Sequence, residues 1–354
     1  MSSSEAFVTV AGRRVRISSP EKVCYPDVGV TKLELAEYCI AVADGLFRSL
    51  AGRPMALHRF PGGLDSGSSF YTKHAPKGLP DWVQTAKVTF PSGRTGQEVC
   101  VTEPATALWA VQMNALELHP WPVRREDTDH PDELRLDLDP QPGTGFAEAV
   151  EAATEARALF TELGMVPFVK TSGGRGLHLL VRIEPRWSFI DARRAVIALA
   201  RELERRRPDL FTTSWWKEGR GARIFADFNQ MARDRMLAAA YSPRATPDAR
   251  VSMPVRWPEL PDVAPEDFTV RTVPALFAAR GDAHADIDTA PAALDALLEM
   301  AERDVHDRGL GDLPYPPEFP KMPGEPKRVQ PSKARHAPAE SSESAESSGA
   351  TDAD

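Results

Sequence analysis

The 354-residue sequence has few cysteines, no long apolar run and no excess of basic side chains. Its three cysteines (Cys24, Cys39, Cys100) form no Cys-x-x-Cys pair, which argues against a zinc site built from cysteines and indicates a reducing compartment. No run of 18 apolar residues is present, which argues against a membrane-spanning helix. Residues 1–16 lack the apolar core of a signal peptide. We therefore expect a cytoplasmic protein with no membrane partner.

Positive charge is also scarce, because 43 Lys and Arg face 51 Asp and Glu, giving a net charge of −8 and a pI near 5.6. A protein that binds nucleic acid through a broad basic face usually has a much higher pI, so the composition disfavours that class. Residues 337–354, however, contain five acidic and no basic side chains, which leaves 46 acidic against 43 basic before them. Any nucleic-acid contact must therefore depend on local basic sites.

The last forty residues differ in composition from the rest of the chain. Proline recurs through residues 314–331, which predicts an extended wrap or linker, and residues 332–354 are mainly Ser, Ala and Glu, which predicts an acidic, disordered tail. Residues 1–313 hold the large apolar side chains needed for a buried core. We therefore expect one folded body at 1–313, divided near residue 130.

Local signals predict a mixed α and β body. Capping residues and helix-ending glycine or proline predict helices from Thr31 to about Leu50, over 146–163, from Ser188 to Arg206 and from Thr289 to about Arg303. Alternating or apolar runs predict strands at 134–139, 166–171, 177–183, 211–215 and 222–228. The strand–helix–strand order from 134 to 183 predicts a βαβ unit and a sheet covered by helices.

Two aspartates share one face of the strand at 134–139. Asp137 and Asp139 lie two residues apart, opposite a leucine face, and Pro140 places them at the end of the strand. Paired carboxylates repel one another unless a cation lies between them, and Mg²⁺ or Mn²⁺ prefers such oxygens. Two surface aspartates on a solvated strand edge remain an equally good interpretation of this motif alone.

The segment Lys170–His178 (KTSGGRGLH) has the composition of a phosphate-binding loop. Its glycines let backbone amides approach an anion, while Ser172 offers a hydroxyl and Lys170, Arg175 and His178 offer positive donors. The spacing is not that of a P-loop, and a tight hairpin that needs glycine explains the segment equally well.

A third aspartate, Asp227, lies on the strand at 222–228, with Lys217 and Arg220 before it and Arg244 after it. Three carboxylates could hold two metal ions, and the basic side chains could neutralise a triphosphate. By itself, a lone aspartate on a strand is usually an exposed or hydrogen-bonded residue.

The ordered set of two acids, an anion loop and a late acid resembles the archaeo-eukaryotic primase superfamily. More closely, the chain resembles the polymerase domain of bacterial DNA ligase D, the non-homologous end-joining enzyme, and its stand-alone relatives. Five further stretches carry this resemblance over about residues 10–305: SSPEKVCYP, HRFPGGLD, FYTKHAP, NALELH and YSPR. It implies an α+β fold with an RRM-like central sheet flanked by helices and an N-terminal α/β subdomain.

The resemblance also assigns expected roles to site residues. Asp137, Asp139 and Asp227 would be catalytic and hold two divalent ions, Mn²⁺ or Mg²⁺. The incoming NTP or dNTP, with ribonucleotides favoured, would contact His119, Ser172, Arg175, His178, Lys217, Arg220 and Arg244. Lys22 and Lys32 would bind a DNA 5′-phosphate, and Phe70 and Tyr71 would stack on the template.

The expected function is template-directed nucleotidyl transfer that extends a primer 3′-hydroxyl at short gaps or broken ends. Two alternatives stay open: a metal-dependent nuclease that uses the same three acids, and a catalytically silent module that binds DNA ends. The sequence lacks a Lys-x-Asp-Gly adenylation motif, so no ligase domain is expected. Expected partners are gapped or broken DNA in the nucleoid, Ku and a separate ATP-dependent DNA ligase. The pathway stays open between end joining, excision-repair gap filling and priming.

Overall fold

Two β-sheets, one from each half of the chain, carry the fold. The computed structural model describes residues 4–313, so the predictions for 314–331 and 332–354 lie outside the described residues. The first half contains β1 (Glu5–Val10), β2 (Arg13–Ser18), β3 (Val23–Tyr25), β4 (Val30–Thr31), β5 (Pro54–Arg59), β6 (Phe70–Thr72), β7 (Gln84–Thr89), β8 (Thr95–Cys100) and β9 (Ala115–Pro120). Strands β1–β2 and β3–β4 form hairpins, and β5–β9 form one antiparallel sheet, in which β5 pairs with β6, β8 and β9.

The second half forms a six-stranded sheet. Its strands are β10 (Glu133–Pro140), β11 (Phe168–Thr171), β12 (Leu177–Arg182), β13 (Phe211–Thr212), β14 (Ile224–Asp227) and β15 (Pro254–Val255). The order is β13-β14-β10-β12-β11-β15, and the only parallel pair among these strands is β13–β14. Strands β14, β10, β12 and β11 therefore follow the βαββαβ order of an RRM-like sheet, which confirms the expected fold class.

Helices cover one face of this second sheet. The seven α-helices of residues 4–313 are α1 (Lys32–Ala41), α2 (Ala43–Leu50), α3 (Ala105–Gln112), α4 (Phe146–Glu162), α5 (Phe189–Arg206), α6 (Val273–Arg280) and α7 (Asp295–Arg308). Buried alanines of α4 (Ala149, Ala152, Ala153, Ala156) share one core with the leucines of β10. Small side chains let the helix approach the sheet closely. Because side chains alternate along a strand, the aspartates of β10 lie on the face of the sheet that is turned away from this helix. None of the helices in the described part is long and apolar enough to cross a bilayer.

Local helix signals were confirmed in three places. Thr31 and Ser188 each form a capping box, with Glu34 and Asp191 respectively, and Gly164 follows α4 in the left-handed region, with φ +72°. The helix predicted from Thr31 to Leu50, however, is broken at Val42 into α1 and α2.

The other boundaries show where tertiary pairing overrides sequence signals. The helix predicted from Thr289 begins only at Asp295, because Ala292 is first held beside the second sheet: its N–H donates to Arg182 O at 2.8 Å. The strand predicted at 211–215 ends at Thr212. The predicted βαβ unit is present, but β12 lies between its two parallel strands, β10 and β11.

A buried ion network joins the two halves. Arg53, which precedes β5, is fully buried and forms a two-point ion pair with Asp132, at 2.6 and 3.0 Å, just before β10. Glu133 lies 3.5 Å from Arg53 and also pairs with Arg135 and Arg182. Buried charges need such partners, so this network fixes where β10 starts relative to the N-terminal sheet.

Candidate active site

Strand register brings the three predicted acids together. Asp137 of β10 is the direct cross-strand partner of His178 on β12 and of Asp227 on β14. Directly opposed residues share a face of the sheet, and Asp139 lies on that face two residues further along β10. The structure therefore places Asp137, Asp139 and Asp227 in one acidic cluster at the end of β10.

The acidic cluster is electrostatically unfavourable without a cation. Burial, followed by the charges of Asp139 and Asp227, raises the pKa of Asp137 well above its ordinary value. The pKa of Asp139 is also raised, first by desolvation of its carboxylate and then by the negative charge of Asp227. The Gln230 amide, which the sequence did not single out, donates to Asp227 at 3.1 Å and to Asp137 at 3.4 Å. A set of carboxylate oxygens under mutual repulsion fits hard divalent cations.

The segment after β11 is a tight hairpin loop beside the acidic cluster. The Ser172 hydroxyl accepts hydrogen bonds from the N–H groups of Gly174 at 3.1 Å and Gly176 at 3.2 Å. A Cβ on Gly176 would lie only 2.4 Å from Leu138 O, so glycine is required for the loop to pass this close to β10. The hairpin and anion-loop interpretations of this segment are therefore compatible.

A buried lysine orients His178. Lys170 is 1% exposed, and its Nζ lies 2.6 Å from both His178 Nδ1 and Ser252 Oγ. Burial, followed by the charges of Lys170 and Arg244, lowers the pKa of His178 well below its ordinary value, so the imidazole is neutral. When Lys170 donates to Nδ1, the imidazole proton lies on Nε2, which is 3.5 Å from Asp137 Oδ1. Lys170 was predicted only as a positive donor for an anion, and its contact with His178 was not foreseen.

A cleft of about 260 Å³ opens above the acidic cluster. Seven of the predicted site residues line it: His119, Asp137, Asp139, Ser172, Arg175, His178 and Arg244. Met236, Leu237 and Ala238, which the sequence did not single out, complete one wall. The cleft therefore combines carboxylates, anion donors and an apolar surface.

Two predicted basic residues lie beside the cleft without lining it. Arg220 has its guanidinium 3.4 Å from the centre of the Phe225 ring, and Phe225 is the cross-strand partner of Asp139. The positive charges of Arg220 and Lys217 both act on the Asp139 carboxylate. They lie where they could meet an anion that approaches the acidic cluster.

A second polar cluster, formed by His58, Glu117 and His119, lies on β5 and β9. Glu117 Oε2 is 2.7 Å from His58 Nδ1 and 3.2 Å from His119 Nε2. Its other oxygen accepts the Ala245 N–H at 2.9 Å and forms a 3.0 Å ion pair with Arg244. Alternation along NALELH could have placed Glu117 beside His119, but His58 joins them only through the β5–β9 pairing.

The two predicted phosphate-binding lysines are neighbours. The Lys32 N–H donates to Lys22 O at 2.8 Å where β3 and β4 pair. Lys32 is buried, with Nζ donating to Gln112 O at 2.8 Å, and Lys22 Nζ donates to Asn114 Oδ1 at 3.1 Å and to Pro61 O. This geometry holds two ammonium groups close together.

The two predicted stacking residues are both exposed on β6. Phe70 is 46% and Tyr71 50% exposed, although adjacent strand residues usually alternate between core and surface. Arg59 lies 5.2 Å from the Phe70 ring centre, and Tyr71 stacks on His58 at 4.2 Å. Each of the two aromatic rings therefore packs against a neighbouring side chain and is still exposed enough to stack with a further ring.

An RRM-like sheet that carries two acids on its first strand, a serine–glycine loop followed by histidine on the next hairpin, and a third acid on its fourth strand is the arrangement typical of the primase-polymerase class. The family model described as the LigD primase-polymerase domain matches residues 31–284. The chain belongs to this family.

Individual relatives agree with this membership. The chain is 32% identical over 314 residues to the multifunctional non-homologous end joining protein LigD of Mycolicibacterium smegmatis, covering 87% of this chain and 40% of that protein. It is 35% identical over 262 residues to the LigD of Pseudomonas aeruginosa, covering 73% and 31%. The chain thus spans less than half the length of these relatives.

A solved structure shows the same fold. The polymerase domain of Mycobacterium tuberculosis ligase D in complex with DNA superposes with a TM-score of 0.74 at 30% identity. The match covers 79% of this chain and 99% of that one.

Proposed function

We propose that this chain catalyses template-directed nucleotidyl transfer on DNA, in which a primer 3′-hydroxyl attacks the α-phosphate of a nucleotide and pyrophosphate leaves. The observation that carries the proposal is that Asp137, Asp139 and Asp227 lie together beside a cleft. The hairpin of β11 and β12 lines this cleft with side chains that can donate to an anion. The catalytic body would be residues 1–313, with an N-terminal subdomain up to about residue 130 and a catalytic subdomain after it, each containing one of the two larger sheets.

The acidic cluster would hold two divalent ions, Mn²⁺ or Mg²⁺, through the carboxylates of Asp137, Asp139 and Asp227. The donor set fits, because hard ions prefer carboxylate oxygens and would relieve the repulsion that raises the pKa of Asp137. When bound, such ions supply activation of the attacking hydroxyl and stabilisation of the leaving pyrophosphate.

The side chains around the acidic cluster would bind and orient the nucleotide. Ser172, Arg175, His178 and Arg244 would contact the triphosphate, with Lys217 and Arg220 adding positive charge at the entrance. His119, at the cleft wall beside Glu117, would lie near the sugar, where a 2′-hydroxyl contact would favour ribonucleotides. Extension rates measured with NTPs and dNTPs on one primer test that preference.

The DNA would be a short gap or broken end that presents a 5′-phosphate to Lys22 and Lys32, while Phe70 and Tyr71 stack on the template. Stacking of this kind contributes about 1–3 kcal/mol per base. In the cell, we propose end joining with Ku and a separate ATP-dependent ligase. Incorporation on a 5′-phosphorylated gap, a 3′-overhang break and an unprimed strand separates end joining from gap filling and priming.

Replacing Asp227 by Asn tests the catalytic assignment. Asp227→Asn should abolish primer extension because it removes one carboxylate of the acidic cluster, while the fold persists because the side chain is only half-buried. The matched control is Asp209→Asn, an exposed aspartate paired with Arg207, which should extend at the wild-type rate. Circular dichroism and primer extension are the measurements.

Three outcomes would contradict the proposal. Extension by Asp227→Asn at the wild-type rate would remove the acidic cluster from catalysis. Degradation of labelled DNA by the wild-type chain without added nucleotide would favour the nuclease alternative. Binding that depends on the 5′-phosphate, without incorporation by the wild-type chain, would favour the silent end-binding module.

A further inference from the structure

The His58–Glu117–His119 cluster has the composition of a metal site that differs from the acidic cluster. Two imidazole nitrogens converge on one carboxylate oxygen, and the three potential ligand atoms lie within 4.8 Å of one another. Two histidines and one glutamate, with one position left open, is the donor set of many zinc centres. We propose that His58, Glu117 and His119 bind a divalent ion that prefers imidazole, of the Zn²⁺ or Co²⁺ type.

The distances require only small movements. Tetrahedral coordination with metal–ligand bonds of about 2.0–2.1 Å separates neighbouring ligand atoms by about 3.3–3.4 Å. The Nε2 of His119 is already 3.2 Å from Glu117 Oε2, and the His58 Nδ1 at 2.7 Å would recede by about half an ångström. His58 lies near the end of β5 with its side chain 16% exposed, so the movement would take place at the edge of the cluster.

The other oxygen of Glu117 is held in place. The Ala245 N–H and the Arg244 guanidinium both lie at Oε1, which aims Oε2 at the two imidazoles. Partners of this kind orient a metal-binding carboxylate. Because Arg244 also balances the charge of Glu117, the ion would be held mainly by coordination to nitrogen, which favours Zn²⁺ and Co²⁺ over Mg²⁺.

This cluster borders the proposed nucleotide site through His119. His119 lines the cleft together with Asp137, and Tyr71 stacks on His58. An ion on His119 Nε2 would occupy the atom that the nucleotide sugar would use. If the proposed polymerase function is correct, Zn²⁺ would therefore inhibit extension in competition with the nucleotide.

Zinc binding to a His58→Phe variant tests the site, because phenylalanine keeps a ring under Tyr71 and removes the ligand nitrogen. Titration calorimetry would be done in an Asp137→Asn/Asp227→Asn background, which disables the acidic cluster. We expect one Zn²⁺ per chain, and binding at least about tenfold weaker after His58→Phe. The matched control is His130→Phe, which removes a histidine paired only with Asp127 and should leave binding unchanged.

Co²⁺ gives a second readout that needs no activity. The visible absorption bands of tetrahedral Co²⁺ should appear with the parent chain and disappear with His58→Phe. Equal zinc binding by parent and His58→Phe chains, or no binding to the parent, would overturn the proposal whether or not the chain is a polymerase. Failure of the wild-type chain to extend a primer, with zinc binding intact in the parent chain, would instead contradict the proposed function alone.

Discussion

The Lys32 side chain is buried and its ammonium donates to Gln112 O, and this position affects its protonation. Burial, and then the positive charge of Lys22, lowers the pKa of Lys32 to about 8. A terminal phosphate is a dianion above pH 7, so its attraction to Lys32 depends on the lysine being charged. Raising the pH through 8 removes that charge, and the affinity for a 5′-phosphate should fall.

The pH dependence can be measured as a ratio of two affinities. We expect the preference for 5′-phosphorylated over 5′-hydroxyl gapped DNA to decrease by up to about tenfold between pH 7 and pH 9. Lys32→Arg, which stays charged throughout this range, should give a ratio that does not change with pH. A ratio for the wild-type chain that is equal at both pH values would show that Lys32 does not hold the phosphate.

At the residue scale, sequence motifs identified the side chains of the site better than the neighbouring residues that hold those side chains in place. Motif order and resemblance singled out Asp137, Asp139 and Asp227, and strand register places them together. His58 was missed because its role depends on Glu117, which is far away in sequence. Lys170 was predicted only as an anion donor, because its contacts with His178 and Ser252 form when the strands pair. No local pattern records such pairings, since they arise only when the strands assemble.

At the scale of elements, the hairpin between β11 and β12 depends on one close approach. Gly176→Ala would place a Cβ 2.4 Å from Leu138 O and force the loop away from β10. We expect a loss of about 1–3 kcal/mol in the free energy of unfolding, together with lower nucleotide affinity. Urea denaturation measures the first effect.

Gly174→Ala is the control within the same loop. Its Cβ would meet only Ser172 Oγ, at 3.4 Å, so the free energy of unfolding should change by less than about 0.5 kcal/mol. Equal destabilisation by both alanines would mean that general loop flexibility, and not the contact with β10, requires glycine at 176.

Element boundaries show what local sequence can encode. The starts of α1 and α5 were predicted correctly because a capping box is complete within four residues. The start of α7 was wrong because Ala292 bonds to Arg182 on the second sheet, an interaction invisible in the sequence around Thr289. Local signals also did not place β12 between β10 and β11, an order that only the resemblance to an RRM-like sheet implied, since strand order is a long-range property.

At the scale of the whole molecule, the buried ion network couples the two sheets. Arg53→Met would leave Asp132 and Glu133 short of positive charge in a buried position. Removing one partner of a buried ion pair costs about 3–5 kcal/mol, and we expect a loss of that size in urea unfolding.

Arg206→Met is the matched control, because Arg206 pairs with Glu162 and Glu202 on the outer helices and is partly exposed. A pair of that kind contributes about 0–1 kcal/mol. Similar losses for the two variants would show that the network is not what holds the halves together.

The catalytic face also has a consequence for changes in chain length. Lys170, His178, Asp137 and Asp227 are successive cross-strand partners on four adjacent strands. Side chains alternate between the two faces of a sheet, so inserting or deleting one residue ahead of any of them within its strand turns that side chain towards the helices. A change of two residues returns a side chain to the same face. Within these strands, only insertions or deletions of an even number of residues therefore keep the active-site side chains on one face. Insertions or deletions of a single residue are compatible with the active site only in the connecting loops.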